Sequence, residues 1–326
     1  MSKVKSPPIE GAPVVMVTGT KYKRNDLRYD LARTTIKRCV KDHELPCVVV
    51  DASPDPLIAK DLGQLGAAVV CVKPEEGGIP KQRQIGARCV LDQGGNKIIT
   101  SEPEKTGMPD FAEEISRMLD EFSVVVIGRT ERSKESMPPF QRRTEELIGW
   151  LFEYILGMPA DALAGPRGYN RQGMQHLLDY PSDAPGMNNW LYMYYTVLAA
   201  MANGERVGGT EVDLMYPESQ VKQETDNLDF DQKRDEQARM QAHILLGEES
   251  EAPQHYKAEI QRIKLLSELD TDRDRLRTMI LKELTLMPKK PTIERIQEFF
   301  SNAEAIARLF GYKVGVDADG LASGPL

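Results

Sequence analysis

The sequence has no cysteines at CxxC spacing: Cys39, Cys47, Cys71 and Cys89 are scattered along its first third. Their places in expected helices and strands make them reduced core thiols. It also has no excess of positive charge. A formal net charge of -8 and a pI near 5.3 exclude the broad basic surface that non-specific nucleic-acid binding requires, so any phosphate site must be local. No long hydrophobic run is present. The most apolar helix candidate, "WLYMYYTVLAA" (Trp190 to Ala200), is too short to cross a bilayer, and its flanks lack the basic face of an interfacial helix. Core packing is its expected role. Residues 1–12 are polar and proline-containing. They are expected to form a flexible arm with no targeting signal, on a cytoplasmic protein. Two nucleotide-binding motifs are missing as well: the first apolar run ends without G-x-G-x-x-G, and no G-x-x-x-x-G-K-[ST] occurs.

What is present is a chain of 326 residues, 40% hydrophobic and 28% charged, enough to bury a sizeable core. From the amino end it alternates. "APVVMVTGT" (Ala12 to Thr20) reads as a strand and "YDLARTTIKRCVKDH" (Tyr29 to His43) as a helix. "LPCVVVDAS" then repeats the strand pattern, "PLIAKDLGQLG" the helix pattern with proline near its start and glycine at its end, and "AAVVCV" the strand pattern. A third helix over "PKQRQIGARCVLDQ" leads into the strand "NKIIT". Uninterrupted apolar strands alternating with helices predict a mainly parallel sheet covered on both faces. Ligands bind beyond the carboxyl ends of such strands, so Thr18, Gly19 and Thr20, Asp51 to Ser53, and Ser101 to Lys105 are expected on one rim.

At that rim "SEPEK" places Glu102 and Glu104 either side of Pro103. Hard carboxylate oxygens there suit a divalent cation, while a solvated loop paired with Lys97 and Lys105 is the plainer alternative. "EEGGIPKQRQIGAR" adds glycines for close backbone approach, a helix amino terminus at Pro80, and the cations Lys81, Arg83 and Arg88, which cannot all face one site. Asp51 suits both a nucleoside contact and a turn. Arg167 and Arg171 in "LAGPRGYNR", read as a loop leading into a helix, are candidates for binding an anion. His176 and His243 fall in predicted helices, as packing or surface residues.

In order, these segments resemble the GT-A nucleotide-sugar glycosyltransferases, particularly the family-2-like group with the glucosylglycerate-type synthases. The resemblance covers Pro13 to Glu224. It implies a GT-A-like three-layer sandwich with a mainly parallel sheet, and a nucleoside diphosphate-sugar donor bound by Thr18, Gly19, Thr20, Asp51, Lys81, Arg83 and Lys105. It also implies Mg²⁺ or Mn²⁺ on Glu102, Glu104 and Glu218, and an unidentified acceptor against Gly165, Pro166, Arg167 and Arg171. Of the two motif acids, Glu104 is expected to matter more for the metal. The chain departs from the family's pattern in three places. "SEPEK" stands where Asp-x-Asp is usual, and "PGMNNW" holds no aspartate base, which leaves the upstream Asp183 as the candidate. Glu218 in "EVDLMYPESQVKQE" stands where retaining enzymes carry a histidine. Inversion and retention both stay open. The altered motif and the missing base also allow an inactive nucleotide- or protein-binding relative. A nucleotidyltransferase is disfavoured by the lack of a glycine-rich basic loop after the first strand.

Beyond Glu224 the pattern changes to helices dense in mixed charge, predicted as an appendage over residues 225–326. It would be the place for a homo-oligomer to form. "DTDRD" there falls at a helix start and "DAD" in a polar tail without a preceding strand, so neither reads as a metal site.

Overall fold

A computed structural model describes residues 8–138, 141–142, 145, 161, 164–183, 190 and 192–225. The expectations placed on the carboxyl-terminal helices, His243, "DTDRD", "DAD" and self-association lie outside them.

The alternation read from the sequence is the one that forms. Strand β1 (Val15–Thr20) leads to Asp26, whose side chain accepts the Arg28 backbone N–H and caps α1 (Leu27–Lys37). A π-helical turn over Arg38–Asp42 follows. Next come β2 (Cys47–Asp51), α2 (Pro56–Gln64), capped by Asp55 with Pro56 in its first turn, and β3 (Ala68–Cys71). Helix α3 (Ile79–Asp92) and β4 (Lys97–Thr100) complete the part with a clear period. After them lie α4 (Ala112–Met118), β5 (Val124–Arg129) and α5 (Glu131–Glu135). The last described elements are β6 (Arg167–Asn170), α6 (Arg171–Asp179), α7 (Tyr192–Ala202), β7 (Val207–Val212) and α8 (Glu218–Thr225).

The strands form one sheet in the order β3-β2-β1-β4-β6-β5-β7. All neighbours are parallel except β6, which runs antiparallel to both β4 and β5. Alternate strand residues face opposite layers. Met16, Val49, Ile99 and Ile127 share a core with Ile36 of α1, Leu62 of α2 and Ile115 of α4. On the other face, α3 lies so close to β1 that a Cβ at Gly86 would overlap the Val17 side chain. There α6 approaches the start of β5 closely enough that a Cβ at Gly173 would overlap the Ser123 carbonyl. The architecture is therefore the expected α/β sandwich of three layers. Tyr192, Met193, Tyr194 and Val197 of α7 are fully buried, the packing role expected of that apolar segment.

Two expectations change. "RGYN" is a strand and not a loop: Arg167↔Thr100 and Asn170↔Lys97 pair it with β4, and Tyr169↔Val124 with β5. Its four residues show no strand-like alternation of apolar side chains. They form β6 because the flanking strands satisfy its backbone groups. Of the cysteines, Cys39 and Cys47 are buried, but Cys71 is exposed and Cys89 half-buried. Cys71 ends β3, which among the described residues has only one neighbour and forms an edge of the sheet. All four are free thiols.

From β1 the chain steps outward through β2 to β3, then returns to set β4 on the other side of β1. The loops leaving β1 and β4 therefore diverge and open a crevice at the carboxyl ends of those strands.

Candidate functional site

A cleft of about 220 Å³ occupies that crevice. Gly19, at the end of β1, lies under the Gln82 side chain of α3, and a Cβ added there would stand 2.8 Å from the Gln82 Oε1. The Gln82 amide donates to the Thr20 and Val50 carbonyls at 2.9 and 2.8 Å, which fixes α3 across the ends of β1 and β2. Arg83, one residue on, is buried and donates to the Val17 carbonyl at 2.8 Å, while its Nε has no hydrogen-bond partner. Glycine is required at Gly77 as well, since a Cβ there would overlap Ala52 beyond β2.

The acidic turn after β4 forms the facing wall. Its two glutamates meet different surroundings. Glu104 accepts the Tyr22 hydroxyl at 2.7 Å and has Arg28 at 4.0 Å. Burial pushes its carboxyl above the ordinary range, against the lowering pull of the Tyr22 hydrogen bond and the Arg28 charge. Burial likewise pushes the Tyr22 hydroxyl well up, with Glu104 adding to the shift. Arg28 also binds Glu224 at 2.8 Å, which ties α8 to this wall. Glu102, by contrast, has a buried Oε2 with no hydrogen-bond partner. It is pressed by Gly165, where any Cβ would overlap its carboxylate. Lys105 stands with its Nζ 4.0 Å from the centre of the Tyr216 ring. Burial alone would lower its pKa; the Tyr216 hydroxyl and Glu102 outweigh that and hold it above the ordinary value. The ammonium is thus fully charged at neutral pH.

A second, smaller cavity continues the cleft toward β5 and β6, sharing Glu102, Lys105, Trp190 and Tyr216 with it. Gly165 and Pro166 line it beside Arg129 and Gln141. The Arg129 guanidinium is held by two carboxylates and the Met137 sulfur. Asp161 accepts from its Nε at 2.6 Å and from its Nη2 at 2.8 Å, and Glu145 accepts from Nη2 as well. Arg129 holds the Asp161 carboxyl below its usual range although burial pushes it up.

The remaining candidates are spread more widely. Thr18 donates to the Ser101 carbonyl at 2.9 Å, joining the ends of β1 and β4. Thr20 donates to Asp51 at 2.7 Å, and Asp51 also accepts the Ser53 backbone N–H and hydroxyl, at 3.2 and 2.6 Å. Asp51 therefore caps the turn after β2 and does not line the cleft. Lys81 and Asp183 pair with each other at 2.7 Å, with Asp183 81% exposed. Neither lines the cleft. Glu218 points outward from the first turn of α8, whereas Gln220 of the same helix lines the cleft. Arg167 is fully buried and donates to the Ala164 and Pro166 carbonyls. Arg171 bonds Asn96 at 3.3 Å, beside the amino end of β4. The β4–β6 register puts it at the opposite end of the sheet from Arg167, because β6 carries the chain back across. The two arginines cannot grip one acceptor. His176 pairs with Glu205 at 3.0 Å, a packing role.

Tyr22, Arg28, Gln82 and Tyr216 are the cleft residues that the sequence reading passed over. Tyr22 lies directly after β1 and Arg28 in the first turn of α1, so their nearness to the rim was a visible signal. Tyr216 gave none, since only the pairing of β7 with β5 brings its loop there. Among the described residues no group of three or more His, Cys, Asp or Glu side chains converges as a metal site. No described helix is long and apolar enough to cross a membrane.

No protein-family model matches the chain, and no curated protein matches its sequence. Solved structures do match it in shape. A mannosyltransferase from Pyrobaculum calidifontis, in complex with GDP-Man and Mn²⁺, is 13% identical over 95% of this chain and 91% of its own, with a TM-score of 0.48. Glucosyl-3-phosphoglycerate synthase from Mycobacterium tuberculosis, in complex with Mn²⁺, UDP and phosphoglyceric acid, is 13% identical over 66% of this chain and 76% of its own, with a TM-score of 0.40. A CMP:2-keto-3-deoxy-manno-octonic acid synthetase in complex with CTP is 11% identical over 63% of this chain and 91% of its own, again with a TM-score of 0.40. At these scores the likeness decides nothing about donor or acceptor, and the α/β assignment stands on the strand order and register of the chain itself.

Proposed function

We propose that this chain is a GT-A-like glycosyltransferase that moves a sugar from a nucleoside diphosphate-sugar to an acceptor hydroxyl. The observation that carries this reading is Glu102: a buried carboxylate oxygen without a partner, in the switch-point cleft, beside the cations Arg28, Arg83 and Lys105. A buried bare carboxylate among cations fits a site built for a larger, mixed-charge ligand. Lys105 is protonated and half-buried, so it would meet a diphosphate as a point charge and stabilise the charge gathering on it as the sugar leaves. Gly19 lets the β1 backbone approach the donor, and the Thr20–Asp51–Ser53 bonds hold the shape of the rim where the nucleoside would lie.

Mg²⁺ or Mn²⁺ fits this wall, with Glu102 as the protein ligand in place of Glu104, which Tyr22 and Arg28 already engage. A single carboxylate suits an ion that takes its other ligands from diphosphate and water. When bound, it supplies neutralisation of the leaving diphosphate. In a retaining reaction the acceptor proton would pass to the leaving diphosphate; Asp183, exposed, paired with Lys81 and lining neither cavity, is not positioned as the base of an inverting one.

Calorimetry with UDP, GDP and their sugars, with Mn²⁺ and with EDTA, tests the reading. Saturable binding of a nucleotide-sugar that requires Mn²⁺ and is lost in Glu102→Ala is expected. Affinity unchanged by EDTA removes the metal from the account. The lack of a three-ligand cluster among the described residues favours a second reading, a GT-A-shaped protein that binds nucleotide without turnover. A bound donor that stays intact across a broad acceptor panel selects it.

A further inference from the structure

The turn from Glu102 to Lys105 carries a carboxylate and an ammonium that do not neutralise each other. It closes through the Lys105 N–H on the Glu102 carbonyl, and both side chains line the cleft and the smaller cavity beside it. The ammonium is close enough to feel the Glu102 charge. Opposite charges so placed, partly withdrawn from water, attract each other strongly. Yet Glu102 Oε2 is buried with no hydrogen-bond partner, while Lys105 Nζ stands over the Tyr216 ring, 4.0 Å from its centre.

Each charge has its own seat. Glu102 lies against the Gly165 backbone, so closely that a Cβ there would overlap the carboxylate. Lys105 has the negative face of Tyr216, and that ring is fixed at both ends. Tyr216 is 8% exposed. Its backbone N–H donates to Ser136 Oγ at 2.9 Å, and its hydroxyl accepts the Gln141 amide at 2.7 Å. The same Gln141 nitrogen donates to Glu145 at 2.6 Å, and Glu145 accepts from Arg129 at the end of β5. Arg129 is also paired with Asp161. A run of buried side chains thus ties the Tyr216 ring to the sheet, and hydrogen bonds behind a functional side chain are what fix its place.

We infer that Tyr216 is a positioning residue of the cleft: anchored through Gln141, it holds the Lys105 ammonium off Glu102 and keeps cation and carboxylate separately available, the first to a diphosphate and the second to a metal ion. That use of the two charges rests on the reading proposed above, whereas their separation rests on the geometry alone. A ligand meeting a closed Lys105–Glu102 pair would first have to break it, and charges already set apart need no such step.

Calorimetry with inorganic pyrophosphate in EDTA, on the full chain, reads the availability of the ammonium without metal or nucleotide. Wild type, Tyr216→Leu, Glu102→Gln and the double variant form a cycle. Tyr216→Leu should bind pyrophosphate about tenfold more weakly than wild type, because Lys105 then falls onto Glu102. In the Glu102→Gln background, where no charge waits to capture Lys105, the same substitution should weaken binding less than about twofold. A ring that only fills space gives equal losses in both backgrounds, and that additivity overturns the inference. So does a Tyr216→Leu variant that binds like wild type, or a wild type that does not bind pyrophosphate. Where Tyr216→Leu does not fold, Tyr216→Phe compared with Tyr216→trifluorophenylalanine decides, since the two rings share a shape and differ in the pull of their faces on a cation. Weaker binding with the fluorinated ring is expected, and equal binding overturns the inference. A non-additive cycle with no nucleotide-sugar bound in calorimetry would sink the transferase reading and leave this one standing. Metal-dependent nucleotide-sugar binding that Tyr216→Leu leaves unchanged would do the reverse.

Discussion

Glu102 and Glu104 flank one proline, and the difference between them shows how much a single position decides. Pro103 fixes its own φ and supplies no N–H to the turn. The turn closes instead through Lys105 N–H to the Glu102 carbonyl at 3.1 Å, and the two side chains leave it toward different neighbours. Glu104 meets Tyr22 and Arg28; Glu102 meets Gly165 and leaves one buried oxygen without a hydrogen-bond partner. The raised pKa of Glu104 has a consequence in the pH dependence of stability. Its carboxyl takes up protons more readily in the fold than in the unfolded chain, whose value is near 4.5. Its contribution to stability is therefore fully present below that pH and is lost as pH rises through the folded value. Glu104→Gln, which cannot titrate, should remove this slope. Denaturant midpoints of the two proteins, measured in steps from pH 4.5 upward, should diverge in the wild type's disfavour as pH rises. Parallel profiles would mean that Arg28 and Tyr22 compensate the burial fully.

At the scale of elements, close packing of α3 on the sheet sets the cleft's inner wall. Gly86 is where α3 touches β1, and the extra methyl of Gly86→Ala must push Val17 or the helix aside. A destabilisation of about 1–3 kcal/mol is expected, the range for overpacking a filled core, against a gain of about 0.5–1 kcal/mol in helix propensity. Urea unfolding measures the net. A more stable variant would mean that the layer is looser than it looks, and Gln82 would then be less firmly placed over Gly19. The elements that were legible in the sequence are those with a strong local period: "VVMVTGT", "CVVVD" and "KIIT" are uninterrupted apolar runs, and α1 and α2 have their capping aspartates and Pro56. What was not legible is non-local. Strand β6 has no period and exists because two neighbours leave it a slot. The far placement of Arg171 follows from that strand's direction. The assignment of the motif acids turned on Tyr22 and Arg28, which β1 and α1 deliver to Glu104 across the rim, a pairing no spacing reveals. The rim as a place was visible, but which carboxylate stayed bare in it was not.

At the scale of the whole molecule, the net charge of -8 repels polyanions, so a diphosphate is held only where local cations and a metal overcome that field. This makes metal and donor mutually dependent in the proposed function. If the ion sits between Glu102 and the diphosphate, donor must tighten metal binding by the same factor by which metal tightens donor binding, since the two routes reach one ternary state. Typical couplings of this kind are about 5- to 150-fold. Titrating Mn²⁺ with and without saturating nucleotide-sugar, and nucleotide-sugar with and without saturating Mn²⁺, should return one number twice. The double variant Glu102→Ala, Glu104→Ala should keep the fold at some cost in stability, because Glu104 is buried against Tyr22 and Arg28 but lies outside the strands, and should lose the coupling. Lys105 is the rival for this role. Its charge could hold the diphosphate unaided, in which case the donor would bind with equal affinity in EDTA and in Mn²⁺, and the double variant would bind at least as well as the wild type after losing two negative charges. Equal coupling factors that vanish together in the double variant place the metal on the acidic turn; tight binding that ignores Mn²⁺ places the whole task on Lys105 and its cationic neighbours.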